Sequence, residues 1–471
     1  MKPFRHKQML KKTTLIVSVA LSCGLLSSCT LFLSDYKRPD MPYVASFDEA
    51  FSKYGALPSG NFWKDFSDPL LNAVTDEAIR HNYDLRIAAV NVEKARLASS
   101  VARTGRNPTA QASFGPDVKR ALDRHDSLHK SSSLDFSVGY EADVFGKVEA
   151  EIKSSDESYR ATAWDYYAMR LSVISNTAQA YWAYACAKEQ LEIAKADLKD
   201  SERRLALIQA QFSAGAANAV DLDTARINDL RIRESVNVAE HNVRTTRTAL
   251  DTLTGRTADQ DIQTLKLEDA VIPKTGNVIP STLLSRRPDL MEYEALLKKS
   301  LADYDSAKLA FFPGITFTAG ISSRSTVSFG DFFSNPIGSL GAAITLPFLN
   351  FHKLSLQKDS ALKDEEIAQL NFVSAYIAAV RDVYDAQSSV TYNEKSLDNA
   401  QKQLALATEN YRRYFERYRQ GLSPLSDLLD ASDSLRSAES AVLTFRRDLL
   451  SAQMALMAAM GGDTTTVAKV E

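Results

Sequence analysis

Ser133-Leu134-Asp135-Phe136-Ser137-Val138-Gly139-Tyr140-Glu141-Ala142-Asp143-Val144 alternates apolar and polar or small side chains without exception. In an extended chain successive side chains point to opposite sides. Leu134, Phe136, Val138, Tyr140, Ala142 and Val144 therefore share one face, and Ser133, Asp135, Ser137, Gly139, Glu141 and Asp143 share the other. The pattern predicts a strand over 133–145. It returns later in the chain: Ile315, Phe317, Ala319 and Ile321 alternate with Thr316, Thr318, Gly320 and Ser322, and Leu340, Ala342, Ile344 and Leu346 face away from Gly341 and Thr345. A weaker strand is expected at about 109–118. Period-two segments of roughly ten residues are what a membrane β-barrel shows, with apolar side chains to lipid and polar ones to a lumen. A soluble sheet with one buried face alternates identically.

Four strands do not close a barrel, since single-chain barrels start at about eight. If the strands enter a membrane, no edge is left unpaired there, so several chains contribute to one closed sheet. Oligomerisation follows from the membrane reading.

Outward from the strands the chain is helical and repeats itself. Asp84, Leu85 and Pro108 recur as Asp289, Leu290 and Pro313, and Phe145, Lys147, Gly215 and Asp221 recur as Phe351, Lys353, Gly421 and Asp427. The offset is 205 for the first group and 206 for the second, so one residue is gained between them. The heptad series Leu191, Ala194, Leu198, Ser201, Leu205, Ile208 and Phe212 recurs as Leu397, Ala400, Leu404, Ala407, Tyr411, Tyr414 and Tyr418. Each half runs in one order: a helix (about 70–104, then 281–311), two strands, a long helix to a glycine, and a return helix. Asp156 to Ser213 contains neither proline nor glycine and spans roughly 85 Å as a helix. Ala225, Ile232, Ala239 and Leu253, with Val236, Val243 and Leu250, step by heptads along the return helix, which calls for a partner helix.

The beginning of the chain is of a different kind. Lys2, Arg5, Lys7, Lys11 and Lys12 precede an apolar run from Leu15 to Leu26, too short for the roughly twenty residues that span a bilayer, and this reads as an export signal. Leu26-Ser27-Ser28-Cys29 resembles a lipoprotein box, in which the cysteine is acylated and becomes the new N-terminus. Removing residues 1–28 takes away five positive and no negative charges, so the net charge moves from −3 to −8. An acidic chain is a poor nucleic-acid binder. With Cys23 in the signal and Cys29 at the anchor, Cys186 is the one thiol left, which rules out a disulfide framework.

Asp35-Tyr36-Lys37-Arg38-Pro39, Trp63 with Asp68-Pro69-Leu70, Asn82-Tyr83-Asp84-Leu85, Asp143-Val144-Phe145-Gly146-Lys147, Arg287-Pro288-Asp289-Leu290, Phe311-Phe312-Pro313 and Leu346-Pro347-Phe348 follow one another in an order and spacing that coincide with the repeat. In this the chain resembles the TolC-like outer-membrane efflux proteins, specifically the lipoprotein branch working with RND pumps. Leu33-Ser34 stands where that branch usually has Gly-Pro. The resemblance implies a mainly α fold with a small β part: a long α-helical barrel, and four strands per chain in a trimeric, 12-stranded outer-membrane β-barrel. The domain plan is a signal peptide at 1–28, a lipid-anchored extension at 29–67, a first repeat at 68–280, a second at 281–460 and a tail at 461–471.

His125 and His129 stand four apart but have no phased third ligand, so no metal is expected. No phosphate-binding loop, nucleophile elbow or zinc-protease motif is present, and neither an enzyme nor a cofactor is expected. Arg419-Gln420-Gly421-Leu422-Ser423-Pro424 reads as a helix end, a capping serine and a proline opening the next helix. Asp427 and Asp430 then occupy the start of the return helix, and Asp221 holds the equivalent place after Asn218. Spacing alone reads these as helix-end carboxylates, and Tyr418 as heptad packing. The resemblance implies more: Asp427, Asp430, Asp221 and Tyr418 would form the periplasmic gate, with acidic rings that coordinate cations. Thr224 stands where Asp430 has its counterpart, so the ring comes chiefly from the second repeat.

The expected protein is a passive exit duct for small molecules. It would be a homotrimer anchored to outer-membrane lipid through Cys29, docking a periplasmic adaptor and an inner-membrane RND pump, without nucleic acid. Two other readings compete: a lipid-anchored coiled-coil scaffold or adaptor, and an exit duct for protein secretion.

Overall fold

The computed structural model describes residues 32–41, 61–120, 128–257, 262–273, 283–325 and 336–462. The order of elements is α1 (Pro69–His81), α2 (Tyr83–Arg103), β1 (Thr109–Lys119), β2 (His129–Ala142), α3 (Lys147–Ser213), α4 (Ala219–Thr254), α5 (Pro288–Leu309), β3 (Gly314–Ser325), β4 (Ile337–Thr345), α6 (Phe351–Arg419) and α7 (Leu425–Ala459). The fold is mainly helical with one small antiparallel sheet, and the repeat is structural. Adding 206 to the ends of α3 and the start of α4 gives Arg419 and Leu425, where α6 ends and α7 begins. At 67 and 69 residues, α3 and α6 each rise about 100 Å.

Several boundaries differ from the sequence reading. The first helix is two, broken at Asn82, whose backbone N–H closes α1 onto Ala78 O while its side chain caps α2 by accepting from Leu85 N–H at 3.0 Å. Its Nδ2 also donates to Leu253 O, which holds the break in place. The corresponding helix in the second repeat begins only at Pro288, a residue suited to a first turn. The strand read over 133–145 begins earlier, at His129, and stops at Ala142. Its last polar position, Asp143, turns away to accept from Glu149 N–H at 2.8 Å, and Gly146 at φ 84° redirects the chain into α3. The long helix therefore starts at Lys147, not near Asp156, and Leu346 lies outside β4. His129, read as a loop residue, opens β2, while His125 falls outside the described residues.

Sheet order is β1-β2-β3-β4, every neighbour antiparallel. The register makes apolar rows across it: Val138 pairs Ala319, which pairs Leu340, and Tyr140 pairs Phe317, which pairs Ala342. Between them run Gly139, Thr318 and Gly341 on the opposite face. β4 is exposed throughout and β1 everywhere but at half-buried Asp117, and Phe114, Phe136, Phe317, Ile321 and Ile344 are all exposed. Among the described residues neither face of this sheet is buried, Ser323 excepted, so the one dry face of a soluble sheet is not met there.

The chain divides into two compact units, each drawing on both repeats. One comprises Met1–Asp40, Val92–Thr162 and Glu292–Val373 and holds the sheet. Its helices are joined by Ser154 on α3 donating to Asp303 on α5 (2.5 Å), a carboxylate also paired with Lys299 of its own helix (2.6 Å), and by Arg103 on α2 paired with Asp156 on α3 (2.8 Å). The other comprises Met41–Asn91, Ala163–Met291 and Ser374–Glu471. Its core packs Phe62, Trp63, Phe66 and Leu71 against Tyr181 and Trp182. Asp68 caps α1 by accepting from Leu70 and Leu71 N–H and also accepts from the Tyr181 hydroxyl at 2.9 Å. Arg287, largely buried, pairs with Asp289 and Asp382 and donates to Ala459 O, tying the start of α5 to the end of α7. Among the described residues no helix is long and apolar enough to cross a membrane.

Candidate functional site

Two helical hairpins, α3–α4 and α6–α7, end in the same kind of turn. Gly215 donates to Phe212 O while Ala216 donates to Gln211 O, and Gly421 and Leu422 repeat this onto Tyr418 O and Arg417 O. This double closure needs a left-handed residue, and the glycines supply it at φ 75° and 72°. A Cβ added to either would meet nothing within 4 Å, so backbone conformation, not space, selects glycine.

The return helices begin differently. Asn218 caps α4, accepting from Asp221 N–H at 2.8 Å. At α7 the expected serine cap is absent: the helix starts at Leu425 behind Pro424, and the buried Ser423 hydroxyl makes no hydrogen bond. Proline at the cap supplies no N–H, so Asp427 cannot reach back to close a capping box.

The two hairpin ends pack together. Ile208, Leu222, Ala225 and Leu425 form a buried cluster, with Leu205, Tyr418 and Leu429 against it. Burial first, and then the Asp221 carboxylate, push the Tyr418 phenol above its usual range. Asp221 of the first repeat and Tyr418 of the second are thereby brought to one place, although 197 positions separate them. Asp427 is half-buried in the first turn of α7 and Asp430 is exposed one turn on, at a spacing that puts both on one helix face. Among the described residues neither forms an ion pair. Two such carboxylates side by side repel each other and attract cations.

Other ties at this level were not legible in the sequence. Arg231 on α4 reaches Asp433 on α7 at 2.5 Å and Asn228 at 2.8 Å. Arg436 meets Asp197 at 2.8 Å, and Arg233 joins Asp229 and Glu202. The exposed pairs among these contribute little in water, so they brace the helix pairs without locking them. Cys186 lies in the core, and burial pushes its thiol up to about 11, which leaves it inert. Among the described residues no group of three or more His, Cys, Asp or Glu side chains could hold a metal. Cys29 lies outside the described residues.

Comparison with known proteins bears on the same halves. The family model described as outer membrane efflux protein matches residues 74–256 and 279–462, two segments displaced by the offset of the internal repeat. The chain is 28% identical to the pyoverdine export outer membrane protein OpmQ of Pseudomonas aeruginosa, over 85% of this chain and 87% of that protein. It is 27% identical to the probable outer membrane lipoprotein SilC of Salmonella typhimurium, over 93% and 96%. Among solved structures, the open-state outer membrane channel MtrE of Neisseria gonorrhoeae superimposes with a TM-score of 0.82 at 26% identity, covering 91% of this chain and 98% of that one.

Proposed function

The chain belongs to the outer membrane efflux protein family and is the outer-membrane channel component of an efflux pump, and from that premise we propose that three copies close one passive duct gated at the hairpin tips. It is a transporter subunit, in a family of channels rather than of enzymes.

The observation that carries the trimer is where the unsatisfied edges lie. β1 and β4 are the two ends of the sheet, each with a row of backbone groups that has no partner strand among the described residues. Hydrocarbon does not tolerate such edges. The helices continuous with those strands carry exposed apolar seams at heptad spacing: Tyr83, Ile87, Val90, Leu97 and Val101 on α2, and Leu356, Ile367, Leu370, Ile377 and Tyr384 on α6. Both ends of the chain's surface thus want a partner, and a cyclic arrangement in which β4 and α6 of one subunit meet β1 and α2 of the next satisfies all of them. Three copies supply twelve strands.

Asp427 and Asp430, repeated three times, form the acidic constriction, and Tyr418, packed against the Ile208–Leu222–Leu425 cluster near the Asp221 carboxylate, holds one hairpin to the other. Export removes residues 1–28 and Cys29 carries the lipid. The exposed apolar residues Val220, Ile227 and Leu230 on α4 suit the helices of a periplasmic adaptor, and the energy comes from the inner-membrane RND pump. The scaffold reading leaves the apolar sheet face in water, which disfavours it.

Single-channel recording tests the duct. Purified protein added to a planar bilayer is expected to give discrete, uniform conductance steps. A protein that assembles and inserts yet never conducts would exclude the reading.

A further inference from the structure

The stretch nearest the lipidation cysteine is laid along α5 in a definite direction. Arg38 pairs with Glu294 at 2.6 Å, the Tyr36 ring lies under Lys298 Nζ at 4.9 Å, and Ser34 donates through its N–H and Oγ–H to the buried Asp305 at 2.7 and 2.6 Å. Phe32 then packs on Phe312 and Phe145, with ring centroids 5.6 and 6.2 Å away. Each step toward the N-terminus moves along the helix toward the sheet, and the last contact is at the foot of β2, which ends at Ala142, and of β3, which starts at Gly314. Cys29 is three residues beyond Phe32, within about 10 Å even if the link is fully extended.

Above that foot the apolar face of the sheet is grooved. Val138, Ala319 and Leu340 make one cross-strand row and Phe136, Ile321 and Gly338 the next. Together they line a dry-walled depression of about 360 Å³. Gly338 leaves it open, since a Cβ there would meet nothing within 4 Å. Ala319 is five residues above Gly314, about 17 Å along the strand, or about 13 Å of height at a barrel tilt near 40°. One leaflet of hydrocarbon is about 15 Å deep, so an acyl chain rooted beside Phe32 ends at this height.

We propose that an acyl chain attached to Cys29 lies against this face and seats its end in the Phe136–Ile321–Leu340 groove of the same subunit. The inference rests on the reading of Cys29 as the lipid anchor. Water on the lumenal side excludes the chain, a neighbouring subunit extends the sheet sideways without covering this face, and the strap of residues 32–38 points the anchor at these strands. The lipid then acts as part of the wall, joining the strap to β3 and β4.

Cells supplied with a photoactivatable fatty acid would incorporate it at Cys29, and irradiation of the trimer in its membrane followed by peptide mapping reads where the chain lies. Adducts are expected to concentrate on the peptides holding Phe136, Ala319 to Ile321 and Gly338 to Leu340, and to fall at least fivefold in Gly338→Leu, which adds a side chain to the groove at a position where a Cβ meets no protein atom within 4 Å. Adducts spread evenly over the lipid-facing strands, or unchanged in Gly338→Leu while the trimer stays heat-resistant, would overturn the proposal. A photoactivatable phospholipid added to Cys29→Ser protein that marks the groove as strongly would assign it to bulk lipid and overturn it too. No label on Cys29 in the parent would sink the anchor reading itself, and the seat with it.

Discussion

Leu340→Arg is expected to abolish insertion into the outer membrane while leaving the isolated chain's helices intact. Leu340 is 91% exposed in the single chain, on the apolar face of β4. If that face met water, replacing an exposed leucine with arginine would change stability by no more than about 0.5 kcal/mol. In a lipid-facing strand near the midplane an arginine costs about 2–4 kcal/mol, and three copies in one barrel bring the total to about 6 kcal/mol or more. Fractionation with heat-modifiability on gels reads the result. Wild-type partitioning and a wild-type heat-resistant band in Leu340→Arg would show that this face does not contact hydrocarbon.

The second large effect is at the tips. In the proposed trimer, three copies of Asp427 and Asp430 would put six carboxylates in one constriction, where mutual repulsion would favour bound cations. Divalent or trivalent cations added on the periplasmic side are therefore expected to block the pore, and Asp427→Ala with Asp430→Ala to abolish that block, raising the blocking concentration at least tenfold. Assembly is expected to be unaffected, because neither side chain joins the buried cluster of Ile208, Leu222 and Leu425. Bilayer recordings with an undiminished block in the double variant would reduce these aspartates to helix-end charges and move the gate elsewhere.

The sheet was legible because strand parity is local: once Leu134, Phe136 and Val138 alternate, the face they share is determined, and the register only aligns it with Ala319 and Leu340. The strand's end was not. Asp143 and Val144 continue the alternation, and only the hydrogen bond from Glu149 N–H to Asp143 takes them out of the strand. The break at Asn82 was hidden for a related reason, since its cap is visible only when the Leu253 carbonyl is there to hold the side chain. At the tips, Gly215 and Gly421 announced the turns, because few other residues adopt a left-handed helix end. The misread cap at Ser423 shows the limit of that logic: Pro424 moves the helix start by one residue and leaves the serine hydroxyl without a partner. The meeting of Asp221 with Tyr418, and of Arg231 with Asp433, depends on how one hairpin lies on the other, which no local spacing encodes.

A closed barrel requires the two open edges, β1 and β4, to be met by other copies of the same chain. The native mass of the species extracted from the outer membrane in mild detergent measures this directly. A single species of three copies that retains the full β-sheet signal is predicted, and a stable monomer that keeps that signal and conducts in bilayers would contradict it.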